Sequence, residues 1–294
     1  MLENERLIYV HHTKGFEMGR ILDDDQVKAF AERGFLAPLP ALSDAEARSF
    51  RRRLEGFEAR AGQKLASNFR HKVNLLFPWC DELIRHPAIL DAIEDIIGPD
   101  ILCWNVHLFA KDPDNKSYVS WHQDAAYWGL EPADVVTAWV ALSEASLDSG
   151  CMEVIPGSHR KDTLPHVDTF HENNLLSRGQ EVAVEVDERE AVAMPLRTGE
   201  MSLHHIKLVH GSRPNHSSDR RIGVAIRYMP PHVHQTRFRD SAMLVRGRDT
   251  IGNFDPDPRP QADMDEAALA AHKAAVDRVL SGLMAGTGKT AFRA

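Results

Sequence analysis

His122-Gln123-Asp124 and the distant His210 are the residues of this sequence best suited to holding a metal ion. In a strand, side chains at i and i+2 point to the same face, so His122 and Asp124 can both reach one ion. His210 follows the strand-like run from Glu200 to Val209 and is placed to bring a third donor from elsewhere in the chain. Two imidazoles and one carboxylate on one face of an octahedron leave positions open for a bidentate co-substrate and for oxygen, an arrangement suited to non-haem iron(II). Alone, a His-x-Asp triplet carries little weight in a chain with 16 histidines. Its weight comes from the residues after His210: Gly211-Ser212-Arg213-Pro214-Asn215, then Arg220-Arg221 and the apolar run Ile222 to Ile226. A dicarboxylate that chelates iron through its keto-acid end needs its far carboxylate held, and the planar guanidinium fork makes two parallel hydrogen bonds to such a group. Arg221, opening the next strand, is the expected anchor. Arg220 points to the opposite face and reads as a surface charge.

The elements that must position these residues are legible in outline. Asp23 to Asp25 cap a helix ending near Gly34, and Ser43 with Glu46 forms a capping box for a second helix ending at Gly62. Pro87 opens a third, which runs through Ile89, Leu90, Ile93, Ile96 and Ile97 and stops at Gly98-Pro99. From Ile101 the pattern changes to short runs rich in β-branched and aromatic residues: Leu102 to Phe109, Val135 to Leu142, Cys151 to Ile155, Val182 to Val186, Glu200 to His204 and Ile222 to Tyr228. Many short strands with turn punctuation indicate an all-β sandwich or a jelly roll. Arg160 to Gly179 is polar and aperiodic and reads as an inserted loop or lid, and a last amphipathic helix spans roughly Asp265 to Leu283. The expected organisation is one domain over residues 1–294: a mainly helical flank to about 100, a β core from about 101 to 230 with an insertion near 160–179, and a C-terminal helical extension from about 231.

Bulk properties exclude several classes. The formal charge of -8 argues against a nucleic-acid binder, which needs a basic surface to displace counterions from phosphates. Cys80, Cys103 and Cys151 form no CxxC pair, so neither a zinc knuckle nor a disulfide framework is expected. No run approaches the ~20 apolar residues of a membrane span, and the first residues lack a signal-peptide core, so a cytoplasmic protein is expected.

Taken in order, these segments resemble the phytanoyl-CoA dioxygenase family of iron(II) and 2-oxoglutarate oxygenases. The likeness runs from Gly98-Pro99-Asp100 and the strand with Lys111 through Trp121-His122-Gln123-Asp124 with Tyr127, Thr137-Ala138-Trp139-Val140-Ala141-Leu142 and Gly150-Cys151-Met152. It continues with Val154-Ile155-Pro156-Gly157-Ser158-His159, Gly199-Glu200-Met201 and His210-Gly211-Ser212 with Asn215 and Arg221. The resemblance implies a mainly β fold with flanking α-helices, a cupin-like double-stranded β-helix or jelly roll. It implies Fe(II), O2 and 2-oxoglutarate as cofactor and co-substrates. His122, Asp124 and His210 would be the catalytic metal ligands, Arg221 the anchor of the far carboxylate, and Ser212 its support. Lys72 and Trp139 look like the lysine and tryptophan that the family places near the co-substrate, and His107 lies near another such position. Related halogenases have a small residue in place of the carboxylate ligand; with Asp124 present, hydroxylation is the implied outcome, with 2-oxoglutarate decarboxylated to succinate.

The substrate is less legible. Asn68-Phe69-Arg70-His71-Lys72-Val73-Asn74 is polar and basic, and with Asn105, His107 and Tyr127 it suits a small polar or anionic metabolite, with Arg70, Asn105 and Tyr127 as candidate contacts. The segments around Arg70-His71-Lys72 and Trp121 to Leu130 suggest chemistry like that of 2-aminoethylphosphonate hydroxylation; an acyl-CoA or a secondary metabolite is the alternative. Two rivals from other classes are a non-catalytic jelly roll that binds or senses a small ligand, and a zinc hydrolase, in which Arg221 would have no evident purpose. Gly286-Thr287-Gly288-Lys289-Thr290 imitates a phosphate loop but has Leu283 where the motif needs glycine and no helix behind it. The pairs His11-His12 and His232-x-His234 find no completing carboxylate, and His204 and His205 read as structural or supporting. Oligomeric state is not readable from these patterns.

Overall fold

The structure is a computed structural model that describes residues 21–114 and 116–284; His11, His12 and the 286–290 tail lie outside them. The three expected helices form where their caps place them. Asp24–Arg33 is closed by a reciprocal Asp23/Gln26 capping box and by left-handed Gly34. Asp44–Ala61 has the Ser43/Glu46 box and Gly62, and Pro87–Ile97 begins at its proline. Two elements were not foreseen in this region. Phe35–Pro40 is a strand, and Pro78–Ile84 is a short helix.

The strands form a major sheet in the order 35–40, 200–205, 136–141, 221–229, 101–111, 241–246, 255–256, and a minor sheet in the order 119–122, 210–212, 152–154, 192–194. Every neighbouring pair is antiparallel except the last of the major sheet. Arg221–Met229 is central and buried along its whole length, and its alternation divides the molecule. Ile222, Val224, Ile226 and Tyr228 pack with Leu54, Leu83, Ile89 and Ile93 of the helices. The other face turns to the minor sheet: Ala225 packs with Trp139 and Cys151, and Arg221 and Arg227 line the space between the sheets. Helices cover the outside of the major sheet, and the space between the sheets is left for chemistry. This is the jelly roll, mainly β with flanking helices, that the strand pattern and the resemblance anticipated.

Three expectations are corrected in detail. The predicted strand Val182 to Val186 is Gln180–Val182, paired with His166–Asp168; beyond Val182 no neighbouring strand is there to pair with, and Val184 is exposed. The 160–179 segment is therefore partly ordered as a hairpin. Arg220 is not a surface charge: it is held by Glu58 at 2.5 Å and also faces Asp112, with only 10% of its side chain exposed. No helix among the described residues is long and apolar enough to cross a membrane.

Candidate active site

His122 ends the strand Val119–His122, and His210 begins His210–Ser212 directly opposite it in register. Their ring centroids are 4.1 Å apart. The expected strand geometry for Asp124 does not hold, because the chain leaves the strand after His122. Asp124 has helical backbone angles and stands at the N-cap position of the turn Ala125–Trp128, but its carboxylate caps nothing and is free to turn toward the histidines. Gln123, fully buried, fixes this bend: its amide donates to Lys207 O, and its carbonyl accepts from Leu164 N. One donor atom from each of His122, Asp124 and His210 lies within 4.8 Å of the others, and this is the only such group of three among the described residues.

The donor chemistry suits a divalent metal. His122 Nδ1 faces the carbonyl oxygens of Ser120 and His210, and His210 Nδ1 faces Leu208 O at 2.9 Å. A carbonyl only accepts, so each Nδ1 carries the proton and each Nε2 keeps its lone pair. His122 Nε2 lies 3.4 Å from Asp124 Oδ1. Burial alone would raise the Asp124 pKa, but its contact with His122 and the charge of Arg227 hold it well below the usual carboxylate range. Burial lowers His210 to about 4, so this ring is unprotonated at neutral pH.

Beside these donors lies an inner cavity lined by Thr137, Trp139, Met152, His204, Ser212, Arg221 and Arg227, about 460 Å³ including its opening. Arg221 is 2% exposed, and no carboxylate among the described residues pairs with it. Its guanidinium lies 5.1 Å from the centre of the Trp139 ring. Arg221 Nε, Thr137 Oγ1 and His204 Nδ1 are buried without a hydrogen-bond partner. A buried, unpaired cation beside orphaned polar atoms is costly in an empty protein and is offset by a polar, anionic occupant. A dicarboxylate chelating a metal at the histidines fits that description. Gly223, between Arg221 and Ala225, is where the Trp139 ring lies: a Cβ there would overlap the indole. Gly223→Ala is expected to push the ring toward the cavity and to cost about 1–3 kcal/mol of stability by overpacking, read as a lowered urea midpoint.

Lys111 was recognised in the sequence only as part of the family pattern. Its ammonium, on the strand next to Arg221, donates to Ser212 Oγ at 2.7 Å and to the carbonyl oxygens of Ser212 and Arg213. Burial, then the Arg221 charge, pulls its pKa down to about 6, while three acceptors match the three N–H groups of the charged form. Three acceptors around Nζ favour the ammonium, which fixes the Ser212 hydroxyl at the Arg221 end of the cavity. Lys72, expected beside the co-substrate, is not there. It lines neither cavity, and its buried Nζ is taken up by Asp257 Oδ2 at 2.8 Å and Ser241 O at 2.7 Å. A buried ammonium needs a counter-charge, and Asp257 supplies it far from the donors in sequence.

A second, outer cavity of about 610 Å³ including its mouth adjoins Asp124 and is lined by Asn105, His107, Tyr127, His71 and Arg227 among others. Of the three proposed substrate contacts, Asn105 and Tyr127 line it; Arg70 does not, since its Nε is bonded to Leu65 O, and the turn Ser67–Arg70 delivers the next residue, His71, instead. His107 Nδ1 lies 3.2 Å from His71 Nδ1. The insertion and the C-terminal helix Glu266–Leu283 wall this cavity: Leu175, Leu176 and Gln180 come from the former, Val279 and Leu283 from the latter. Arg178 joins them by donating to Leu283 O and lying over the Tyr127 ring. His71 was named in the sequence only as part of the basic segment 68–74, and Arg227 was missed. Arg227 was detectable, because from Arg221 the strand alternation puts Gly223, Ala225 and Arg227 on the same face. His204 lines the inner cavity, 4.7 Å from the His210 ring, whereas His205 accepts from Lys207 N and His232 pairs with Asp134.

The site holds several neutral histidines. Burial lowers His71 and His205 to about 3 and His210 to about 4, and His107 and His204 lie well below the usual value. The unfolded chain protonates them near pH 6.5; the folded chain does not until far lower. Between those values the unfolded state binds more protons, so stability falls as pH falls, by up to roughly 1.4 kcal/mol per pH unit for each such group. The thermal midpoint of metal-free protein is therefore expected to drop steeply between pH 6.5 and 5. A flat profile over that range would mean these rings are not held neutral.

A helix-flanked jelly roll with two histidines and a carboxylate beside a buried arginine is the architecture of iron(II)- and 2-oxoglutarate-dependent dioxygenases. The family model for phytanoyl-CoA dioxygenase (PhyH) matches residues 20–223, and the chain belongs to that family. Its enzymes are 2-oxoglutarate-dependent dioxygenases that use Fe(II) and O2. Among relatives, the "Probable alpha-ketoglutarate-dependent hypophosphite dioxygenase" of Stutzerimonas stutzeri is 32% identical over 186 residues, 60% of this chain and 64% of that protein, so the match spans just under two thirds of its length. The peroxisomal phytanoyl-CoA dioxygenase of Bos taurus is 27% identical over 77% of this chain and 78% of its own. Among solved structures, the non-heme monooxygenase ThoJ in its apo form superposes with a TM-score of 0.77 at 37% identity, covering 87% of this chain and 96% of that one.

Proposed function

We propose that this protein hydroxylates a small polar or anionic metabolite, with His122, Asp124 and His210 holding iron and Arg221, Ser212 and Trp139 holding 2-oxoglutarate. The observation that carries the reading is the buried Arg221, unpaired among the described residues, in the cavity that the three metal donors also line. The overall reaction is R–H + 2-oxoglutarate + O2 → R–OH + succinate + CO2. Bound iron supplies the activation of oxygen and the oxidation of substrate. The chain supplies the rest. The Nδ1–H bonds to backbone carbonyls fix the metal-facing nitrogens of His122 and His210. Arg221 orients the far carboxylate, with the Ser212 hydroxyl held by Lys111 beside it. Trp139, Phe109 and Leu176 present apolar surface that limits water at the reacting atoms.

The polar lining of the outer cavity, with Asn105, His71, His107 and Arg227, favours a small polar metabolite over the long apolar chain of an acyl-CoA. The hypophosphite dioxygenase of Stutzerimonas stutzeri acts, by its name, on a small oxyanion, which agrees with that choice. A 2-aminoethylphosphonate-like molecule is the first substrate to try. The test is succinate release by purified protein with Fe(II), ascorbate, O2 and 2-oxoglutarate, across small phosphonates, amino acids and acyl-CoAs. Stimulation by a small polar compound, lost in His122→Ala, supports the reading. Stimulation by acyl-CoAs alone would replace the substrate class, and absence of 2-oxoglutarate binding would remove the oxygenase assignment of the site.

A further inference from the structure

Arg227 is a second buried guanidinium, six residues along the same strand from Arg221, and neither the metal donors nor the 2-oxoglutarate contacts employ it. It is 7% exposed and lines both cavities, at the boundary beside Asp124. Only one of its N–H groups is used within the described chain, by Nη1 donating to Ala225 O at 3.0 Å; Nε is buried without a partner. Its charged plane lies 5.1 Å from the Trp128 ring centre and 5.9 Å from that of Phe109, apolar neighbours that hold it in place without neutralising it. Its cross-strand partners are Asn105 on one side and Thr137 on the other, both uncharged. The histidines of the outer cavity, His71 and His107, are kept neutral by burial, with the Arg227 charge adding to the effect.

Asp124 is the acidic group that lowers the cost of the Arg227 charge, yet a metal ion at the three donors takes up that carboxylate and adds positive charge of its own. Arg221 and Arg227 stand about 20 Å apart along the strand backbone, at a rise of about 3.3 Å per residue, and rest on different aromatic rings. They are placed to serve two anions, Arg221 in the inner cavity alone and Arg227 where the inner and outer cavities both reach it. Building on the oxygenase reading, we infer that Arg227 anchors the primary substrate: that substrate carries an oxyanion, a carboxylate, phosphonate or phosphinate, which pairs with Arg227 in the outer cavity and sets the bond to be oxidised against the metal site. Asn105 and the neutral His71–His107 pair are the hydrogen-bonding groups around it. The fork of Arg227 fits two oxygens of any of these groups, so the arms of the experiment decide between them.

The test uses full-length protein loaded with Ni(II), which permits binding without turnover. Acetate, methylphosphonate and hypophosphite are titrated as anion probes and acetamide as the neutral control, each with and without saturating 2-oxoglutarate, by calorimetry. Wild type is expected to bind at least one anion probe and to ignore acetamide. Arg227→Gln is expected to weaken that probe about tenfold or more, and Arg227→Lys to restore part of the loss, while 2-oxoglutarate affinity stays within about twofold. Asn105→Asp keeps the acceptor that Lys72 N–H uses and places a carboxylate opposite Arg227, so it should weaken the anion probe similarly in a variant that retains the arginine. It provides the readout if Arg227→Gln does not fold. Equal binding of acetamide, unchanged anion affinity in these variants, or a loss of 2-oxoglutarate affinity in Arg227→Gln as large as the loss of probe affinity would each overturn the inference. Failure of wild type to bind 2-oxoglutarate would strike the oxygenase reading alone, because the anion titrations without it still report on Arg227.

Discussion

Asp124→Ala is expected to abolish substrate-dependent succinate formation, by about a thousandfold or more, while leaving the fold intact. The carboxylate makes no capping bond and no backbone contact, so its removal costs the fold little. What it contributes is the third donor and the only negative charge of the donor set. Two neutral imidazoles bind a divalent ion far more weakly, and several kcal/mol lost in metal binding and transition-state stabilisation amount to about three powers of ten. The measurement is metal content and turnover beside the thermal midpoint of the metal-free protein. Because the site holds the Asp124 pKa below the usual carboxylate range, the ionised group adds to metal-free stability at neutral pH, and the metal-free midpoint should fall modestly without loss of cooperative unfolding. Full turnover in the variant would remove Asp124 from the metal site, and a collapsed midpoint would make its role structural.

Arg221→Leu is expected to raise the KM for 2-oxoglutarate by about a hundredfold or more. Truncating one partner of a buried, hydrogen-bonded charge pair costs about 2–5 kcal/mol, because the other charge is left buried and unmatched. Arg221→Lys should recover only part of this, since an ammonium cannot offer the fork that two carboxylate oxygens accept. In the absence of co-substrate the effect should reverse. Leucine replaces a charge that has no counter-ion among the described residues, and burial already drags Arg221 down to about 10, so Arg221→Leu should match or exceed wild type in thermal stability. A KM within twofold of wild type would place the far carboxylate elsewhere, with Arg227 the next residue to examine.

The range of the forces involved explains which parts of this molecule were legible in its sequence. Helix ends depend on side chains within three or four residues of each other, and Asp23/Gln26, Ser43/Glu46 and Pro87 marked their helices correctly. Strand composition is equally local, and runs of β-branched and aromatic residues between turn signals marked Ile101–Lys111, Val136–Ala141 and Arg221–Met229 to within about two residues. The three candidate metal donors, which the fold does bring together, stood out because their chemistry is specific and their segments recur in a recognisable order. Phe35–Pro40 escaped notice because a strand containing two prolines gains its stability from pairing with Glu200–His205, about 165 residues away.

The roles of individual cations were decided by tertiary structure. From sequence, Lys72, Lys111, Arg70, Arg220 and Arg227 are five similar basic residues. Folding pairs Lys72 with Asp257 and Arg220 with Glu58, ties Arg70 to Leu65 O, sets Lys111 on Ser212, and leaves Arg227 facing two cavities. A positive charge acquires its function from which acid, if any, the fold brings within a few ångströms. For Arg220 and Lys72 those acids lie 162 and 185 residues away in the chain. The sequence by itself determined the helix caps, the positions of the main strands, the three candidate metal donors that the fold brings together, and the oxygenase class. Only the tertiary structure determined which cations are spent inside the protein and which remain for a ligand, because burial and pairing are properties of the packed chain.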